Sequence, residues 1–167
     1  MKKEEQVTLE ERIVQILLKK KMTITTVESC TGGMISARLT DVAGVSEIFK
    51  QGFVTYSDKA KHKMVGVKKS TLKEYTAVSG QTAYEMARGG AMTADADVCV
   101  SVTGYAGPAV SDEDDTVGLV YIGCYVKGRV VVEEHHFAGD RRAVREQAAE
   151  QALALVHECV KKKHKKE

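Results

Sequence analysis

The sequence predicts an α/β protein, a three-layer α/β/α sandwich on a mixed, mostly parallel sheet of about five strands. Short β-branched runs alternate with helix-like patterns along the chain, the arrangement of parallel strands joined by crossover helices. One pair of long runs is joined only by Lys127-Gly128, a hairpin signal that adds antiparallel strands. The chain has 167 residues, enough for one sheet covered on both faces and too few for two such domains. Residues 1–160 are therefore expected to form a single domain and 161–167 a basic, flexible tail.

Thr8 and Glu11 fit a capping box that opens an amphipathic helix carrying Ile13, Val14, Ile16 and Leu17. Thr23 to Val27 reads as a buried strand and Met34 to Leu39 as a helix. Gly52 to Ser57 reads as a second strand, followed by a short helix from Lys59 to Met64 that stops at Gly66. Ser70 is placed as the cap of a short helix through Tyr75, and Ser79 as the start of a longer one with Ala83, Met86 and Ala87 inward. A third strand, Asp97 to Thr103, ends at Gly104-Tyr105-Ala106-Gly107-Pro108, where the only proline marks a sharp turn. Val117 to Val126 and Arg129 to Phe137 form the hairpin. A last helix, from Asp140 to about Val160, carries Val144, Ala148, Ala152 and Leu155 on one face.

Hydrophobic residues make up 43% of the chain and charged ones 29%, the balance of a globular protein. No apolar stretch is long enough to span a membrane and no secretory leader is readable, so a cytoplasmic location is expected. Cys30, Cys99, Cys124 and Cys159 show no Cys-x-x-Cys spacing and read as reduced thiols. Net charge is +2, with much of the excess in Lys161-Lys162-Lys163-His164-Lys165-Lys166. No basic face or interleaved aromatics speak for nucleic acid. His135 and His136 are adjacent in a strand and point to opposite faces, so no metal site is expected. The run Asp112-Glu113-Asp114-Asp115 reads as solvated surface.

Open α/β sheets bind ligands beyond the carboxyl ends of their strands, which directs attention to three loops. After the first strand, Ser29, Thr31, Gly32 and Gly33 lead into a helix. Free N–H groups, hydroxyls and the helix dipole at that junction suit an anion, although two glycines also simply make a tight turn. In the second region Ser46 is followed by Tyr56 and Lys61. A tyrosine beside an ammonium can act as base toward a serine. Equally, Ser46 suits a helix cap, Tyr56 an edge-strand position and Lys61 a solvated helix. Gly104 to Pro108 is the third. Arg141, Arg142 and Arg145 stand at the start of the last helix, where cations oppose the dipole. An anionic ligand would compensate them, as would Glu146 and Glu150.

Val27-Glu28-Ser29-Cys30-Thr31-Gly32-Gly33, Asp41-Val42-Ala43-Gly44, Gly52-Phe53-Val54-Thr55-Tyr56-Ser57, Lys61, Ala77-Val78-Ser79, Gly104 with Ala106-Gly107-Pro108, Val117-Gly118, and Gly139-Asp140-Arg141 with Val144-Arg145 resemble the CinA C-terminal-domain family. The likeness runs from about Leu9 to Val156 and is to the stand-alone form. Characterised members of that family are nicotinamide-nucleotide amidohydrolases. The resemblance implies hydrolysis of the carboxamide of nicotinamide mononucleotide to nicotinic acid mononucleotide and ammonia, a step in pyridine nucleotide salvage, without cofactor or metal. It places the serine nucleophile on Ser46 and the supporting tyrosine and lysine on Tyr56 and Lys61. The nucleotide would be held by Ser29, Thr31, Gly32, Gly33, Thr103, Gly104, Ala106 and Gly107, with Arg141 or Arg145 toward its phosphate. Partners then reduce to the small nucleotide and a second copy in a symmetric homodimer. The sequence departs from the family pattern at Ala109 to Thr116, where glycines and a Lys-Pro are usual, and more mildly at Val45. Two alternatives remain: a non-catalytic nucleotide-binding relative, and an amidohydrolase for a related carboxamide.

Overall fold

The computed structural model describes residues 6–162. Lys163 to Glu167, most of the expected tail, lie outside the described residues, whereas Lys161 closes the last helix.

Helix α1 (Leu9–Lys20) opens with the expected capping box: the Thr8 hydroxyl accepts from Glu11 N at 3.2 Å and the Glu11 carboxylate from Thr8 N at 3.1 Å. Strand β1 (Ile24–Glu28) is buried along its whole length and leads through a turn into α2 (Met34–Thr40). After one 3-10 turn (Val45–Glu47) come β2 (Phe53–Val54), α3 (Asp58–Val65), α4 (Lys69–Tyr75) and α5 (Gly80–Ala94). Strand β3 (Val98–Gly104), the hairpin strands β4 (Leu119–Val126) and β5 (Arg129–His136), and α6 (Arg141–Lys161) complete the chain.

The five strands are ordered β2-β1-β3-β4-β5. β2, β1 and β3 are parallel, β4 is antiparallel to β3, and β5 is antiparallel to β4. Four strands thus run one way and β4 alone opposes them. Lys127 and Gly128 both take positive φ, 44° and 92°, as a tight two-residue hairpin requires. Side chains alternate as the pleat demands. Val98, Val100 and Val102 join Ile13, Leu17, Val144 and Leu153 in the core under α1, α2 and α6. On the other face Val27 and Cys99 meet Met86 and Ala91 of α5 and Val65 of α3. The four cysteines are free and buried.

Two local expectations are corrected. β2 is two residues long rather than six, because the chain leaves β1 after Thr55 N donates to Glu28 O at 2.8 Å, and Ser57 then turns to cap α3. The start of α4 is held by Glu85 of α5, whose carboxylate accepts from Lys68 N at 3.0 Å and the Thr71 hydroxyl at 2.5 Å. Lys68, not Ser70, is its N-terminal flanking residue. Among the described residues no helix is long and apolar enough to cross a membrane.

Candidate active site

From β1 the connections run to β2 on one side and toward β3 on the other, so a crevice opens beyond the carboxyl ends of β1 and β3. There the structure holds a cavity of about 570 Å³. Lys61 reaches it from α3. Ser57 caps that helix, its hydroxyl accepting from Ala60 N at 3.0 Å, and Lys61 shares a face with Val65, one turn on. The sheet-facing side is buried, so the lysine stem is buried with it: Lys61 is 2% exposed. Its Nζ donates to Ser29 Oγ at 2.9 Å and to Thr55 O at 2.8 Å. Burial pushes the Lys61 pKa below the usual lysine range, while Asp58 and then Cys30 pull it back up. Beside this pair the Thr55 hydroxyl is buried without a hydrogen-bond partner.

The turn that delivers Ser29 is built around a buried anion of the chain's own. Glu28 is fully buried. Its Oε1 accepts from the Thr31 hydroxyl at 2.7 Å, Gly33 N at 3.2 Å and Ile35 N at 2.9 Å. Its Oε2 accepts from Ser36 N at 3.1 Å and the Ser36 hydroxyl at 2.7 Å. The three N–H groups are the free backbone donors at the start of α2, and the helix dipole stabilises the carboxylate there. Gly32 and Gly33, at φ of 58° and 109°, let the backbone fold back onto it. The anion site expected for a ligand is therefore filled from within. Thr31, Gly32 and Gly33 do not line the cavity. Arg145 is committed too: its Nε donates to Cys30 O at 2.9 Å and its Nη2 to Thr31 O at 3.4 Å, so it braces the turn from behind.

Tyr56 and Arg141 meet at the cavity mouth. Arg141 Nη2 donates to the Tyr56 hydroxyl at 2.7 Å and Nη1 to Gly107 O at 2.5 Å, which ties the segment after β2 to the loop after β3. The expected contact of Tyr56 with Lys61 is replaced by this one. Thr103, Gly104, Ala106 and Gly107 line the cavity, and the Thr103 hydroxyl donates to Ala77 O at 2.8 Å. The divergent loop also reaches it: Asp114 accepts from Val110 N, Thr116 N and the Thr116 hydroxyl at 3.1, 3.0 and 2.6 Å, so its carboxylate staples its own loop. Those bonds, the Thr116 hydroxyl first, hold its pKa below the usual carboxylate range.

Ser46 is not brought to this cavity. Ile48 O accepts from Ile24 N at 2.8 Å and Phe49 bridges to Ile24, which fixes the 3-10 turn beside the beginning of β1. Ser29 follows the end of that strand, about 16 Å away by strand rise. Ser46 is exposed, and its carbonyl accepts from Lys50 Nζ at 2.5 Å. Ser29, Tyr56, Lys61, Thr103, Gly104, Ala106, Gly107 and Arg141 are thus assembled; Ser46, Thr31, Gly32, Gly33 and Arg145 are not. Sequence reasoning passed over Thr55 and Asp58. The spacing of Lys61 and Val65 was the legible sign that this lysine faces inward. Among the described residues no group of three or more His, Cys, Asp or Glu side chains is placed to hold a metal.

Three comparisons bear on this arrangement. The family model for the CinA C-terminal domain matches residues 6–160. A CinA-like protein of Kosmotoga olearia is 46% identical over 153 residues, which is 92% of this chain and 37% of that protein. The chain thus spans well under half the length of the curated relatives it matches. Among solved structures, a competence/damage inducible protein of Agrobacterium tumefaciens superposes with a TM-score of 0.87 at 36% identity, covering 92% of this chain and 94% of that one. A competence damage-inducible protein A of Klebsiella pneumoniae gives 0.88 at 33%, covering 93% and 97%.

Proposed function

Because the chain belongs to the CinA C-terminal domain family, we propose that it hydrolyses the carboxamide of nicotinamide mononucleotide, with Ser29 as nucleophile and Lys61 as its base. One observation carries the reading: a buried lysine bonded at 2.9 Å to a serine hydroxyl, in a cavity at the end of β1. A serine attacks only when its proton is taken, and a lysine whose pKa is lowered by burial is more often in the neutral form that can take it.

In the forward step Ser29 Oγ gives its proton to Lys61 Nζ and bonds to the amide carbon. As the tetrahedral intermediate collapses, the C–N bond breaks, a proton returns to the leaving nitrogen, and ammonia departs from an ester on Ser29. Water then attacks that ester, passes a proton back through Lys61 to Ser29 Oγ, and releases the acid. Thr55 O holds Nζ in place throughout. Tyr56 supplies a second hydroxyl at the mouth. Arg141 is the exposed guanidinium that meets the phosphate, exchanging its bond to Tyr56 for charge-assisted bonds to the substrate.

The test is ammonia release from nicotinamide mononucleotide, nicotinamide riboside and nicotinamide. Ser29→Ala should lower turnover of the mononucleotide at least about a thousandfold, while Ser46→Ala stays near wild type. Full activity in Ser29→Ala would remove the nucleophile. A thermal shift with the mononucleotide but no turnover would make the chain a binding protein.

A further inference from the structure

On the face of α3 opposite Lys61, a groove of about 670 Å³ runs between α3 and α4. Lys59, Lys63, Lys69 and Lys73 line it, with His62 beside them and Leu72 as its apolar element. All four lysines are exposed, and among the described residues none makes an ion pair. The one acidic residue in the lining is Asp58. His62 Nδ1 lies 2.8 Å from Val67 O, which fixes the ring by a bond from Nδ1–H and leaves Nε2 free. The sequence did not reveal this patch because Lys61 interrupts it. Once Lys61 turns inward, the remaining lysines of two consecutive helices converge on one concavity.

Four ammonium groups held around one hollow repel each other, and a multivalent anion relieves that repulsion. The helices are 8 and 7 residues long, so the groove extends no more than about 12 Å along the first and about 10 Å along the second. That suits a short chain of phosphates rather than a nucleic-acid strand. Lysine meets phosphate as a point charge, which favours a flexible oligophosphate over a planar carboxylate. We propose that this groove binds the oligophosphate group of a nucleoside triphosphate or of inorganic triphosphate, at a site separate from the amide-hydrolysing cavity. The two hollows share Asp58 at the first turn of α3, and the bound anion would lie across one helix from Lys61. The site is independent of the amide chemistry, so its test is a binding measurement.

Inorganic tripolyphosphate, ATP and adenosine are titrated calorimetrically into the full chain at low ionic strength. Saturable one-to-one binding of tripolyphosphate is expected, weakening as salt is raised, with none for adenosine. The Lys69→Glu/Lys73→Glu double variant, altered only at exposed positions, should keep its thermal midpoint and raise Kd by at least about tenfold. Equal affinity for tripolyphosphate and ATP supports the phosphate chain as the feature recognised; tighter ATP supports the same site with the base on Leu72. Absence of saturable binding, undiminished binding in the double variant, or loss of binding in Arg141→Ala with retention in the double variant would each overturn the proposal.

Discussion

In the proposed mechanism Lys61 joins two demands that conflict, since burial would make it a usable base and the same burial penalises its charge. Asp58, at the start of α3, favours the ammonium form. Asp58→Asn should therefore move the acid limb of the kcat/KM profile to lower pH, because a weaker pull on the proton leaves more neutral amine. A limb that stays put or moves upward would contradict Lys61 as base. Glu28 poses the opposite problem, a charge fully compensated by donors. Glu28→Gln turns one acceptor into a donor opposite N–H and O–H groups, and should cost about 3 kcal/mol, read as a lower denaturation midpoint. Residue identity alone concealed both: Ser29 and Ser46 are each serines beside glycine-bearing turns, and only their positions at opposite ends of β1 separate them.

Helix α5 holds two consecutive glycines in its interior, each costing about 1 kcal/mol against alanine in an open helix. They persist because of what α5 lies against. A Cβ on Gly89 would stand 1.8 Å from Val65 O, and one on Gly90 2.3 Å from Val27 Cγ2. Gly89→Ala should destabilise by about 2 kcal/mol and disturb α3, which carries Lys61. Gly80→Ala, whose nearest neighbours are 3.8 Å away, should instead be neutral or stabilising; paired denaturant titrations compare them. The helices and long strands were legible because capping residues and apolar spacing are local signals: Thr8 with Glu11, Ser79 and Asp140 mark their helices correctly. The start of α4 and the extent of β2 were not, because each is decided by a partner distant in sequence, Glu85 for one and Glu28 O for the other. The strand-end rule pointed to the cavity beyond β1 and β3, but the inward turn of Glu28 onto α2 is a tertiary choice that Gly32-Gly33 permits and does not announce.

For the molecule as a whole, the buried ammonium sets a proton-linked cost on folding. Lys61 has a lower pKa folded than unfolded, so between those two values the unfolded chain binds more protons and stability rises with pH. Below the folded value the penalty is complete; above the ordinary lysine range of about 10.4 it vanishes. The stability of wild type relative to Lys61→Met should therefore climb from neutral pH toward that range. Both are compared in a Cys30→Ala background, because the Cys30 thiol, which burial pushes up to about 11 against the pull of Lys61, contributes the opposite slope. A flat difference would mean that Lys61 keeps its proton in the folded chain up to the ordinary lysine range, with no lowering of its pKa. The carboxylate of Glu28 has one more consequence, for lineage rather than energy. With five donors depending on it, position 28 has almost no tolerated neighbours in mutational space. A glutamate immediately before the serine of a Ser-x-Thr-Gly-Gly turn should accordingly survive in descendants that have lost Lys61 and all activity, and would serve as a marker of common ancestry among degenerate copies.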